Sequence, residues 1–173
     1  MSKNGLTISL NEVLFYFTRA GFGVNASIGV SEDFARSNIW IAQNGFDPSE
    51  CSLLALDNLD SQTSSLSIQF EKTGDGSHLF CPEDKVLSAI EASVSCVDWL
   101  EFNGLDGDLK LTNVDSPLLV VSALGANQCT GIQVSWTDKS NNHYEVNLKD
   151  DIEWEIISSS EAPIELSNCA DIH

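Results

Sequence analysis

Apolar positions in the first third of the chain repeat every three to four residues and in the last third every two, so helices are expected to precede strands. Ser9-Leu10-Asn11-Glu12 fits a capping box, in which the serine hydroxyl takes an orphan backbone N–H and the glutamate reaches back to the cap. Leu10, Val13, Leu14 and Phe17 then form one apolar stripe, and Gly21 and Gly23 are expected to end the helix, because glycine tolerates a left-handed cap. A second helix is expected to start near Ser31-Glu32-Asp33, where acids suit the positive helix end, and to stop at Asn44-Gly45 after Phe34, Ile39, Trp40 and Ile41. Asp47-Pro48-Ser49-Glu50 signals a third start, with an N-cap, a first-turn proline and an acid. Leu53, Leu54 and Leu56 supply its apolar face, and the polar stretch 58–65 reads as a loop.

From Leu66 the period changes. Leu66, Ile68 and Phe70 alternate with polar residues as in a half-buried strand, and Gly74-Asp75-Gly76 turns the chain. Cys81-Pro82-Glu83-Asp84 is expected to open a helix carrying Val86, Leu87, Ile90 and Val94, broken at Asn103-Gly104. Leu109 and Leu111 alternate in a strand over 108–112, and the apolar run 117–123 fits a fully buried strand or helix. The alternating segments 132–136 and 144–148 flank a five-residue loop and predict a hairpin, with 152–156 as a further strand. The expected fold is α+β: an N-terminal helical layer packed on a mostly antiparallel C-terminal sheet. Residues 1–157 are expected to make one domain (helical over 9–59, mixed over 66–103, strand-rich over 108–157), with 158–173 a loosely ordered tail.

Charge narrows the function classes. The 173 residues carry 26 acids against 8 lysines and arginines, a formal net charge of −18. Nucleic acid and anionic membranes both need a basic footprint, so neither is an expected partner. Glu12 interrupts the first apolar run too early for a signal-peptide core, and the longest nearly uncharged stretch, 117–126, is about half a membrane span. A cytoplasmic protein is the expectation. Its five cysteines are widely spaced, without a C-x-x-C pair, which suits reduced, buried thiols better than disulfides or zinc.

Few side chains suggest chemistry. Arg19 and Arg36 are the only arginines, and two guanidinium groups could clamp a carboxylate or phosphate through paired N–H donors. They could equally pair with Glu12, Glu32 or Asp33. Glu32 is a candidate acid or base, although a helix start explains it as well. Cys81, with His78 upstream and a proline after it, could be a thiolate at a helix N-terminus, or simply a buried cysteine. The histidines at 78, 143 and 173 share no metal-ligand spacing, and the acidic turns match no calcium loop, so neither metal nor cofactor is expected. No phosphate-binding glycine loop and no nucleophile elbow occurs. Trp136, Trp154 and Tyr144 could share a sheet face as core or as an aromatic surface.

Several segments stand in an order worth naming: Ser9-Leu10-Asn11-Glu12-Val13, Arg19-Ala20-Gly21-Phe22-Gly23, Gly29-Val30-Ser31-Glu32-Asp33-Phe34-Ala35-Arg36, Trp40-Ile41-Ala42-Gln43-Asn44-Gly45, Leu79-Phe80-Cys81-Pro82 and Asp115-Ser116-Pro117-Leu118-Leu119-Val120-Val121. In that order and spacing they resemble the bacterial Domain of Unknown Function 3726 family (DUF3726), over most of residues 8–125. The chain departs from that family in having Ile28-Gly29 where a Trp-Gly pair would stand, and in its few arginines. The resemblance implies no activity. The first 45 residues bear a fainter resemblance to the helical start of the malate and L-lactate dehydrogenases that are unrelated to Rossmann enzymes. The leading functional expectation is a non-catalytic binding or accessory subunit acting through a protein interface, as a homodimer or with a heterologous partner. The alternative is a small-molecule enzyme or enzyme subunit acting on an anionic carboxylate metabolite, with Arg19 and Arg36 as anion ligands and Cys81 or Glu32 as the reacting group.

Overall fold

Ser9 and Glu12 close the capping box that their spacing predicts. The Glu12 backbone N–H donates to Ser9 Oγ at 3.3 Å, and the Ser9 backbone N–H donates to Glu12 Oε2 at 2.7 Å. Helix α1 (Leu10–Gly23) follows in the computed structural model, which describes residues 8–74, 76–82, 85–104, 108–137, 141–148, 154–158 and 170–173. Gly21 and Gly23 lie inside α1 rather than capping it, and the left-handed residue beyond is Asn25, with φ 68°. Gly21 serves packing instead. A Cβ there would stand 3.0 Å from Ser31 Oγ, so its absence lets α1 press on α2 (Ile28–Gln43).

Helix α2 begins ahead of the acids expected to start it, because the Ser27 hydroxyl caps it and accepts from the Val30 N–H at 3.3 Å. Glu32 and Asp33 therefore fall beyond the cap, where they face Arg36 rather than the helix end. Asn44 and Gly45 (φ 83°) end α2 as expected. Before α3 (Ser49–Asp60), Asp47 Oδ1 accepts from both the backbone N–H and the hydroxyl of Ser49, at 2.9 and 2.6 Å. Helix α3 continues into the segment that polarity alone marked as loop.

The short strands β1 (Ser64–Ser65), β2 (Gln69–Thr73), β3 (Gly76–Phe80) and β4 (Val86–Leu87) come next. Leu66 and Ile68 pack on the core just before β2, while Phe70 within it is exposed. The strand thus starts later than alternation suggests, because β2 pairs only with β3 and covers no core. Helix α4 (Ala89–Asn103) also starts later than expected. Leu87 is first drawn into a ladder with Val114, and Ser88 then caps the helix. Cys81 consequently sits between two strands, not at a helix N-terminus. Gly104, with φ 70°, ends α4.

After β5 (Asp108–Val114), the apolar run left open between strand and helix is helix α5 (Pro117–Ala126), buried from Pro117 through Leu124. A helix apolar on every side must be enclosed, and α2, α3 and α4 all pack on α5. Strands β6 (Ile132–Thr137) and β7 (His143–Leu148) form the expected hairpin, followed by β8 (Trp154–Ser158) and β9 (Ala170–Ile172). The sheet order is β1-β4-β5-β9-β6-β7-β8, with the β2–β3 hairpin joined to β5 through β3. Strands β3 and β4 run parallel to β5, and β1 to β4, while the other pairs are antiparallel. The fold is α+β, with its N-terminal helices preceding the strands.

The stretch 158–173, read as a loose tail, ends in β9, which is inserted between β5 and β6 with Ile172 buried; residues 159–169 lie outside the described set. Trp136 and Tyr144 do share a face, stacked at 5.2 Å between ring centroids, but both are buried, so they are sheet core rather than an aromatic surface. No helix among the described residues is long and apolar enough to cross a membrane.

Candidate functional site

Strand β9 is three residues long, whereas its neighbours β5 and β6 run seven and six. It bridges them only at one end. Leu111 and Val114 of β5 pair with Ile172 and Ala170, while Trp136 and Thr137 of β6 pair with Ile172 and Asp171. His173 extends the bridge by exchanging two backbone hydrogen bonds with Ser135, each 2.8 Å. A cleft of about 660 Å³ opens beside Asp108–Lys110 and Ile132–Val134. That volume is typical of small-molecule sites.

Apolar and polar side chains both line the cleft. Cys96, Trp99 and Leu100 of α4 form one wall, with Leu109 and Leu111 beside them. Lys110, Asp108, Gln133, Ser77, Ser135 and His173 bring the polar groups. Lys110 is one of only eight cationic side chains in the chain. The Gln133 amide also reaches Glu145, whose carboxyl it helps to hold below its ordinary range together with Asn147. Trp99 is buried, and its indole N–H has no hydrogen-bond partner among the described residues. Burial pushes the Cys96 thiol up to about 12, so at neutral pH it is a wall rather than a nucleophile.

A second polar cluster lies under the N-termini of α4 and α5. Asp115 is fully buried, and its Oδ1 accepts from the Ala89 backbone N–H at 2.8 Å, satisfying a donor at the start of α4. Its Oδ2, with the hydroxyls of Ser64 and Ser116, makes no hydrogen bond among the described residues. Burial raises the Asp115 carboxyl to about 6, against the opposing pull of the Ala89 N–H and the nearby Ser64 and Asn58 side chains. Nearby, the Ser52 hydroxyl donates to Asn38, and burial lifts the Cys51 thiol to about 11.

The residues singled out in the sequence sit elsewhere. Arg36 donates to Asp33 at 2.5 Å and lies 3.8 Å from Glu32, all three on the outer side of α2. Arg19 stands 5.1 Å from the Phe15 ring centroid on the outer side of α1. Cys81 is buried after β3, and His78 Nε2 is 2.6 Å from Thr112 Oγ1. The structure brings Glu32 to Arg36, and none of Arg19, Glu32, Arg36 and Cys81 lines the cleft. The cleft residues come from segments far apart in sequence, so no spacing could reveal them. The nearest local signal is Lys110, a lone cation in an alternating strand of an acidic chain.

Native protein is expected to leave Cys51, Cys81 and Cys96 unmodified by a thiol reagent at neutral pH, since all three are buried. Denatured protein should titrate all five cysteines. Fast native labelling of Cys81 that disappears in His78→Ala would contradict this and restore the thiol–imidazole pair.

No protein-family model matches the chain, and neither does any curated protein. Solved structures do match. Malate dehydrogenase from Pyrococcus horikoshii OT3 superposes with a TM-score of 0.62 at 11% identity, over 94% of this chain and 53% of that one. Malate dehydrogenase from Entamoeba histolytica gives 0.58 at 8% identity, over 91% and 50%. Delta1-piperideine-2-carboxylate reductase from Pseudomonas syringae pvar. tomato gives 0.57 at 12% identity, over 89% and 53%. At such identities the likeness is one of fold, and the chain spans about half the length of each of these structures.

Proposed function

We propose that this chain is a small-molecule enzyme, or a subunit of one, that acts on an anionic carboxylate metabolite. The cleft beyond β9 carries this reading. It has the volume of a metabolite site, an apolar wall from α4, and a lining that includes Lys110, Asp108, His173, Ser77 and Ser135. In a protein of net charge −18, Lys110 is the lysine that lines this cleft, with Asp108 two residues before it. The similar folds support the substrate class: two act on malate by name and one on a cyclic imine carboxylate. A carboxylate in the cleft would take charge-assisted hydrogen bonds from Lys110 and the Ser135 hydroxyl, with its apolar remainder toward Leu109 and Trp99. This favours the enzyme alternative over the accessory subunit that the absence of motifs suggests. On the same proposal the protein works as an assembly, with a second copy or another protein.

The test is a panel of small 2-hydroxy, 2-oxo and cyclic imine carboxylates, titrated against the protein and followed by amide NMR shifts. At least one should bind and shift the amides of β5, β6 and His173. Lys110→Gln is expected to weaken that binding roughly tenfold, the value of one charge-assisted contact. Failure of the whole panel to perturb those amides, or binding unaffected by Lys110→Gln, would overturn the proposal.

A further inference from the structure

Helix α1 has two apolar faces, and the described residues cover only one. Val13, Phe17 and Gly21 turn inward, where Phe17 meets Phe34 edge-on at 5.7 Å between centroids. On the outside Ile8 is 43% exposed, Phe15 53% and Phe22 63%, and a shallow groove formed by α1 alone runs past Leu14, Phe15 and Arg19. Phe15 and Phe22 are spaced seven residues apart along α1, the repeat that keeps a stripe facing a partner helix, and Ile8 stands just ahead of the Ser9 cap. Glu12 and Arg19 share that spacing, one stripe over.

Charge selects the partner. Residues 8–31 hold one acid, Glu12, and one base, Arg19, and are neutral within a chain of net charge −18. A basic protein would be drawn to the strand-rich half, where residues 98–173 carry 14 acids against three lysines, not to this face. Two copies of the chain repel across most of their surfaces, and α1 is where they can meet without that cost. We infer that the outer face of α1 is a homodimer interface, built by antiparallel packing of α1 on α1 of a second copy about a twofold axis at Phe15. A twofold contact is self-complementary. With Phe15 on the axis, the Phe22 end of one α1 lies over the N-terminal end of the other, and Glu12 comes beside Arg19 of the second copy, twice over. The Arg19 guanidinium, already over the Phe15 ring, would then cover a pair of stacked aromatics. This interface is independent of what the cleft binds.

Sedimentation velocity at roughly micromolar protein and moderate salt, where repulsion is screened, should give twice the 18.8 kDa chain mass. Phe15→Glu, which enters the interface twice, is expected to weaken association about 100-fold while leaving the circular dichroism unchanged. Phe15→Cys should form an intermolecular disulfide on mild oxidation, and Leu53→Cys, at an exposed apolar position on α3, should not. A chain that stays monomeric up to roughly 100 µM overturns the inference and leaves the face to residues 1–7 or to another protein. A dimer that survives Phe15→Glu, or cross-linking as efficient at Leu53→Cys, overturns it equally.

Discussion

Gly125→Ala is expected to destabilise the protein by about 2–3 kcal/mol, although alanine is the better helix former by about 1 kcal/mol. The reason is Trp40. A Cβ at Gly125 would lie within 2.7 Å of three atoms of the indole, Cε2, Cζ2 and Nε1. Trp40 packs against the core from α2, and its rigid bicycle cannot yield by bending at the tip. The added methyl must either displace the ring or push α2 from α5, and overpacking of that kind outweighs helix propensity. For a chain of this length the loss corresponds to a fall in Tm of roughly 5–10 °C. Trp40→Ala should itself be destabilising, but in its background Gly125→Ala should become neutral or favourable. Chemical denaturation of the four proteins in the cycle gives the coupling directly. Additive effects would mean that the indole and the helix backbone do not share this contact.

The second large effect is a pH dependence confined to one side chain. Burial raises Asp115 from an ordinary 3.8 to about 6. Between those pH values the native state keeps a proton that the unfolded chain has released, so stability falls as pH rises through this window. Above about pH 6 the full cost of the buried charge is present, and below about 3.8 it is absent. That cost is about 3 kcal/mol. Asp115→Asn keeps the Oδ1 acceptor for the Ala89 N–H and cannot ionise, and its amide can donate toward the unpaired Ser64 or Ser116 hydroxyl. Relative to wild type, the asparagine protein should therefore gain about 2–3 kcal/mol between about pH 3.5 and 7. Comparing the two proteins cancels the pH response of the other acids. Urea unfolding at both pH values measures it. A difference that does not change with pH would show that Asp115 titrates as an ordinary carboxyl.

Both effects arise from contacts that no local pattern announces. The role of Gly125 lies in the approach of Trp40 from a helix that ended far earlier in the chain. The burial of Asp115 follows from β4, β5 and α4 meeting around it. Helix starts show how far local reading goes. Ser9 and Glu12 satisfy each other within one turn, so their capping box is legible from spacing alone. At α2 the acids at 32 and 33 outshine the serine at 27 that caps the helix, because sequence alone does not rank competing caps.

By itself, then, the sequence determined what short-range physics settles. That includes the order of helices before strands, the α1 cap, the stop at Asn44-Gly45, the hairpin of β6 and β7, and a strongly acidic net charge. These depend on hydrogen bonds and side-chain periods within a few residues. Tertiary structure decided the rest. It made the run from Pro117 a helix, because an apolar segment without a period takes its form from what encloses it. It drew residues 170–172 between β5 and β6, because a strand can complete a sheet wherever an edge is open. It also gathered the lining of the cleft, from side chains whose only relation is that the chain brought them there.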